Sequence, residues 1–308
     1  MKAFPDWDDR LDKAVAALDG GAADRRAFLT ANGGSVARAL TGVPVDGGER
    51  RPGVGGCVVV NVASAHVPTM TRPGATYKNC YDLDKEGRIG GVPSMVSPKR
   101  LSVDDALTPL HGKAREEIYF AAVEFNGCGV GFYGDICLVL RDDVTQSDTV
   151  ILDRNSYDLI REPLKSRITE SAQRSHISIE QARADEARNY AGQMKDDLAP
   201  LAAIKVLESR QPVLRLVSTG AVSEGVLDDE DYIEALRVGS FQVDEAQEAR
   251  LAPADVALYE RIRTRELTGD PPSQAEAIWR SRRKVAEGRL NAIGVRVRVV
   301  TTSGRIKG

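Results

Sequence analysis

The stretch "DYIEALRVGSFQVDEAQEARLAP", Asp231 to Pro253, sets Glu234 at the head of an apolar alternation. A Gly-containing turn follows, and then an acidic, helix-like run. On a strand beginning at Asp231, Tyr232, Glu234 and Leu236 share one face, and Ile233, Ala235 and Arg237 the other, because successive side chains alternate. A carboxylate in such a run must be solvated, paired or placed for a task. A solvated glutamate on an edge strand is the bland alternative to a working carboxylate, and spacing alone favours it.

Outward from this segment, the bulk properties narrow the class. With 308 residues, 42% hydrophobic and 28% charged, the chain can hold one large domain or two ordinary ones around a sizeable core. Lys and Arg total 42 against 45 for Asp and Glu, a net charge of −3, which argues against a whole-surface nucleic-acid binder while leaving room for a basic patch. Aromatic residues at 5% offer few stacking platforms for a single strand. Cys57, Cys80, Cys128 and Cys137 form no C-x-x-C pair and show no metal-like spacing with the three histidines, so free thiols in a reducing compartment are expected. No apolar run approaches the length of about 20 residues that spans a bilayer, and "MKAFPDWDDRLDKAV" is acidic where a signal peptide needs an apolar segment. Cytoplasmic residence with no membrane partner is the expectation, and it is compatible with delivery into a target cell by a specialised machine.

Along the chain, residues 7–41 read as helical, with Leu11, Ala14, Val15 and Leu18 at helical spacing. A Gly- and Pro-rich connection runs to Gly56, and "CVVVNVASA" (Cys57 to Ala65) is a strand. Residues 66–115 read as loops with short elements. "EEIYFAAVEFNGCGVGFYGDICLVLRDDV" holds two apolar strands around "NGCGVGFYG", whose glycines suit a hairpin turn. Thr149 to Leu152 is a further strand. A helical stretch from about Ile160 to Ser209 carries Ile168, Ala172, Ile179, Ala187, Met194, Leu198 and Leu201 on one face, with breaks near Ser178 and Pro200. "PVLRLVSTG" (Pro212 to Gly220) is β, residues 253–290 are helical, and "VRVRVV" (Val295 to Val300) is an alternating strand. The order is α+β, with a helical segment and linker at 1–56, a mixed core at 57–252 with a helical insert at about 160–209, and a helical part with a terminal strand at 253–308.

Several familiar chemistries find no residues to carry them. There is no P-loop, no H-E-x-x-H and no G-x-S-x-G elbow, and the G-x-G of "NGCGVGFYG" lies between strands rather than opening a helix.

The segment from Asp231 resembles the catalytic strand of ADP-ribosyltransferase-fold proteins, in particular bacterial polymorphic-toxin and phage-type members. In those proteins an aromatic residue, an apolar residue and a glutamate open a strand that is followed by a Gly turn. "FYGDICLVLRDDVTQSDTVILDRNSYDL" is similar to a strand and loop found upstream in the same group. The two segments together cover only about 50 residues. Two positions depart from the pattern. Leu236 stands where the family often has Gln, and Tyr232 stands where arginine-modifying members have Glu or Gln, which turns the acceptor away from arginine.

The resemblance implies an ADP-ribosyltransferase-like split β-sheet core, NAD as donor, and a toxin- or effector-like enzyme that transfers ADP-ribose or hydrolyses NAD. A protein or nucleic acid would be the acceptor, and an antitoxin or immunity protein the neutralising partner. Glu234 would be the catalytic carboxylate, stabilising the oxocarbenium character that develops when the nicotinamide–ribose bond breaks. Tyr232, Ser218 and Thr219, together with Arg154, Asn155 and Tyr157 of "DRNSYD", would contact the dinucleotide. Turn chemistry is the plainer account of Ser218, Thr219 and the "DRNSYD" loop. His111, in "PLHGKA", and His66 are candidates for the adenosine ribose, and His176 reads as a surface residue. The basic excess of "WRSRRKVAEGRLNAIGVRVRVV" suits an anionic partner. Two other readings stay open: a non-catalytic interaction or phage-structural protein of the same fold, and a metal-dependent nucleic-acid-processing enzyme using Asp135 and Asp142.

Overall fold

Six residues rich in valine, following Gly56, make β1 (Cys57–Val62), in which every residue but Asn61 is buried. In the computed structural model, which describes residues 56–86, 96–124, 127–145, 149–194 and 232–300, this strand lies inside a single eight-stranded sheet. The others are β2 (Ile118–Glu124), β3 (Ile136–Leu140), β4 (Thr149–Leu152), β5 (Ala191–Gln193), β6 (Glu234–Val238), β7 (Ala246–Leu251) and β8 (Arg296–Val299). Their spatial order is β5-β4-β6-β2-β1-β3-β7-β8. The protein is thus α+β with a mixed sheet. Among the described residues, the eight strands form one open hydrogen-bonded sheet.

The "NGCGVGFYG" connection is not a hairpin. β2 and β3 do not pair with each other; both pair antiparallel with β1, which lies between them. The glycines serve a crossing of β1 instead. Gly129 has φ +69°, and a Cβ there would stand 2.1 Å from Asn61 Oδ1. A Cβ on Gly134 would stand 2.1 Å from the Val62 carbonyl carbon. Asn61 ties the crossing down: its Nδ2 donates to the carbonyls of Cys128 (2.9 Å) and Gly134 (3.1 Å), and its Oδ1 accepts from the Val130 N–H at 2.9 Å.

Helices cover the sheet. In chain order they are α1 (Val67–Met70), α2 (Cys80–Lys85), α3 (Pro98–His111), α4 (Asp142–Thr145), α5 (Leu164–Ser175), α6 (Ile179–Asn189), α7 (Pro253–Thr268) and α8 (Gln274–Ala292). α3 lies where loops were expected. Its start is signalled by Ser97, which accepts from the Arg100 N–H, and by Pro98 in the first turn; Gly112 at φ +63° ends it. Buried Val103, Ala106, Leu107 and Leu110 recur at helical spacing. Pro109 has no N–H to offer the Asp105 carbonyl, and the Thr108 hydroxyl donates to that carbonyl instead, at 2.9 Å. Inside the helical stretch the expected break falls at Ser178, which caps α6, but the chain then leaves the helix after Asn189 and enters β5.

The acidic run after β6 is likewise a strand rather than a helix. Glu248 and Arg250 alternate with Ala249 and Leu251 in β7, and both charges are buried. Glu248 is met by Arg250 Nε at 2.7 Å and by Arg298 of β8 at 2.7 Å. Those cations outweigh the cost of burial and hold its carboxyl at about 2. β8 runs parallel to β7, so the chain needs a long crossover, and α7 and α8 supply it. The C-terminal helical part therefore closes onto the same sheet as the core.

Two apolar clusters flank this framework. One gathers β1, β3 and β7 with Ala286 and Leu290 of α8. The other packs Val103, Leu107 and Leu110 of α3, Ile168 of α5 and Ala187 of α6 against Ile118, Val150, Leu152 and Leu236. No helix among the described residues is long and apolar enough to cross a membrane.

The crossing of β1 yields a stability test. Gly134→Ala would drive a methyl into the β1 backbone, which cannot yield as a side chain can, and roughly 3 kcal/mol of unfolding free energy is expected to be lost. Gly131→Ala, where the added carbon meets nothing within 4 Å, is expected to change it by less than about 1 kcal/mol. Urea unfolding of the two variants makes the comparison, and equal effects would contradict the close approach at Gly134.

Candidate active site

Glu234 is the first residue of β6. β6 is an interior strand, with Glu234 registered against Leu152 of β4 on one side and Ala122 of β2 on the other. The solvated edge-strand account of this residue is therefore excluded; Glu234 is 2% exposed. Its Oε2 accepts the Ser156 N–H at 2.8 Å. Ser156 opens a 3-10 turn (Ser156–Ile160) that Asn155 caps, its side chain accepting from the Tyr157 N–H at 3.0 Å. The polar loop after β4 is thus folded so that one backbone donor points at the carboxylate.

Although buried from bulk water, Glu234 lines a cleft of about 1340 Å³. The same cleft is lined by the chain from the end of β1 to the start of α2, including His66, Arg72, Tyr77 and Lys78. Six aromatic rings line the space: Tyr77, Phe120, Phe132, Tyr133, Tyr157 and Tyr232. Among the described lining residues His66, Arg72, Lys78 and Arg100 are basic, and Glu234 alone is acidic. This local balance runs opposite to the chain's net charge of −3. Phe132 and Tyr133 stand at the mouth, 77% and 53% exposed, on the glycine-rich crossing of β1. That crossing is anchored by Asp135, whose Oδ1 accepts the Ser64 N–H at 2.7 Å and whose Oδ2 meets buried Arg283 of α8 at 3.0 Å. The Tyr133 and Tyr232 hydroxyls lie 3.4 Å apart.

Arg100, on the first turns of α3, is the charged residue that sequence reasoning missed. Its guanidinium lies 3.6 Å from the Phe120 ring centroid, a cation–π geometry. Phe120 is registered against Leu236, two residues along the same face from Glu234. Arg100 also pairs with Asp104, one turn later on α3, with Nε and a terminal nitrogen each 2.7 Å from a carboxylate oxygen. The signal was present as an i, i+4 Arg–Asp pair behind a Ser-Pro helix start. The many Gly and Pro residues of 66–115 mask that signal.

The other expected site residues divide. Tyr232 and Tyr157 line the cleft, as does His66. Arg154 does not: it pairs with Asp153 at 2.9 Å and its guanidinium sits 3.7 Å from the Tyr190 ring centroid. Asn155 is buried as the cap of the 3-10 turn and acts on the site only through that turn. His111 ends α3 and is not among the cleft residues. His176 is an exposed C-cap at φ 55°. Ser218 and Thr219 lie outside the described residues. Asp135 and Asp142 flank the five residues of β3, a span of about 20 Å, too far apart to share a metal. Among the described residues no group of three or more His, Cys, Asp or Glu side chains could hold a metal ion.

Burial pushes the Glu234 carboxyl up from 4.5 to about 7; the Arg100 guanidinium and the Ser156 donor pull it down, and Asp104 adds to the rise. The Tyr232 phenol is pushed well above its ordinary range, by burial first and then by the Glu234 charge.

A stability measurement reads this environment. The folded protein keeps the Glu234 proton up to about pH 7, whereas the unfolded chain releases it near 4.5. The proton-linked contribution is therefore complete below the unfolded value and is lost as pH rises through about 7. Its size is on the order of 3 kcal/mol. Glu234→Gln is expected to unfold at higher urea than wild type at pH 8, with the gap closing by pH 4.5. An advantage that does not change with pH would rule out a proton held on this side chain.

No family model, no curated protein and no solved structure matches the chain.

Proposed function

We propose that the protein is an ADP-ribosyl-transferring enzyme of the ADP-ribosyltransferase fold that takes NAD as donor and uses Glu234 as its catalytic carboxylate. The observation that carries the proposal is a single buried carboxylate, at the start of an interior strand, on the wall of a cleft whose other charged lining residues are basic and which carries six aromatic rings among its described lining residues. A dinucleotide brings a diphosphate, two sugars and flat rings, which suit the cations and aromatic walls respectively. Its nicotinamide–ribose bond breaks with positive charge developing on the ribose. A preorganised carboxylate shielded from water stabilises that charge most effectively.

In this reading the Ser156 N–H holds Glu234 in one orientation, and Tyr232 and Tyr133 border the reacting end of the cleft. The C1′–nitrogen bond breaks with its electron pair going to the nicotinamide nitrogen, which becomes neutral. An acceptor lone pair forms the new C1′ bond, and the acceptor's proton leaves to solvent. With water as acceptor the outcome is hydrolysis. Tyr232, in place of a second acidic residue two positions before Glu234, directs the proposal toward an acceptor other than arginine. An effector acting in the cytoplasm, with its own neutralising partner, belongs to the same proposal.

Incubation with NAD labelled in either half tests it. Release of nicotinamide is expected, with the adenine-bearing half appearing free or on a macromolecule. Glu234→Gln is expected to lower the rate by roughly 100-fold to 1000-fold while leaving the fold intact. The rate should rise with pH through about 7, since Glu234 must lose its proton to act. Absence of nicotinamide release with and without cell lysate would remove the enzymatic reading and favour an interaction protein. Growth arrest on expression, relieved by Glu234→Gln, would support the effector role.

A further inference from the structure

Arg100 and Glu234 line the same cleft, and Asp104 pairs with the Arg100 guanidinium. The Arg100 side chain is 14% exposed and the Asp104 side chain fully enclosed. Asp104 also accepts the Tyr81 hydroxyl of α2 at 2.7 Å. The guanidinium is fixed from below by Asp104 and stacked on Phe120, which leaves it on the sheet face that carries Glu234. We propose that Arg100 is the positioning residue of this site, its charge shared between Asp104 and Glu234, and that Asp104 limits how much of it reaches the working carboxylate. The proposal rests on the reading of Glu234 as that carboxylate.

The other ionisable groups facing the cluster are Cys80 and Tyr81 from α2, Asp105 from α3, Tyr157 from the turn after β4, and Tyr133 and Tyr232 beside Glu234. Burial raises the Cys80 thiol and the Tyr81 and Tyr232 phenols, keeping them neutral at physiological pH. Asp105 is offset by Arg115, whose guanidinium meets it at 2.6 Å, so the charges of Arg100, Asp104 and Glu234 dominate the balance, and their signs predict opposite effects at two positions. Arg100→Gln removes the cation that favours ionised Glu234, so the protonation midpoint rises. Asp104→Asn removes a competing anion and frees Arg100 toward the cleft, so the midpoint falls. Arg100→Lys keeps the charge and holds the midpoint near that of wild type. An opposite charge at short range moves a carboxyl by about 1 to 3 pH units. A residue serving packing alone would move none of these midpoints in opposite directions.

The test uses the full-length protein with isotope-labelled glutamate, and the Glu234 carboxyl band is identified by its loss in Glu234→Gln. Infrared spectra between pH 5 and 9 without NAD give the midpoint in each variant, and the pH profile of nicotinamide release gives it again during turnover. A rise of about one pH unit in Arg100→Gln and a fall in Asp104→Asn are expected in both. Should Arg100→Gln not fold, Asp104→Asn and Arg100→Lys decide alone. An unchanged or raised midpoint in Asp104→Asn, or a midpoint in Arg100→Lys shifted as far as loss of the charge predicts, would overturn the proposal. Spectral shifts of the expected sign without nicotinamide release would leave the charge sharing standing and remove only the transferase reading.

Discussion

A carboxylate enclosed between two interior strands is among the most expensive groups a protein can place in its core, and much of this fold is arranged around one. The arginine of its own strand, Arg237, lies on the opposite face and donates to the carbonyls of Val144 and Ser240, so it does not neutralise Glu234. The compensation comes from outside the sheet: a backbone donor from the turn after β4, and a guanidinium delivered by α3. That guanidinium is itself held by Asp104, which reaches α2 through Tyr81. Two helices and a loop thereby converge on one cleft, with Glu234 on its wall.

The opposite end of the sheet solves a similar problem with the opposite charge ratio. Glu248 lies buried between Arg250 and Arg298, two cations to one anion, and its carboxyl is held at about 2. Around Arg100 one cation serves two anions, and Glu234 is left near 7. Glu248 therefore stays charged across physiological pH, and its role is to join β8 to β7. Glu234 changes charge near neutrality, which suits a group that must act rather than one that must hold. Buried ionic groups differ in this way by partner count more than by depth.

Strands were the most legible elements in the sequence, and the reasons lie in particular residues. The runs at Cys57, Thr149 and Val295 are short and β-branched, and each became a strand close to the expected bounds. The run after the Gly239 turn reads as acidic and helix-like, yet Glu248 and Arg250 within it are paired inside the sheet. α3 was obscured by the surrounding Gly and Pro residues, though Ser97, Pro98 and Gly112 are ordinary helix punctuation. The glycines at 127–134 were read as a turn between neighbouring strands. They permit a crossing over a third strand, a difference that depends on what lies beneath them.

Glu234, Tyr232 and Tyr157 were legible as candidates for one site because their residue types and order carry a pattern. Arg100, about 130 residues earlier by sequence number, carried no such mark, and Arg154, nearer in sequence, points to Asp153 and Tyr190 instead. From the sequence alone came the α+β class, most strand positions, and the idea of a carboxylate opening a strand, since periodicity and residue type are local properties. Only the tertiary structure decided that β6 is interior, that the chain between β2 and β3 crosses β1, and which cation shares the cleft with Glu234. Strand order and charge pairing depend on distances between segments far apart in the chain, and local patterns hold no information about those distances.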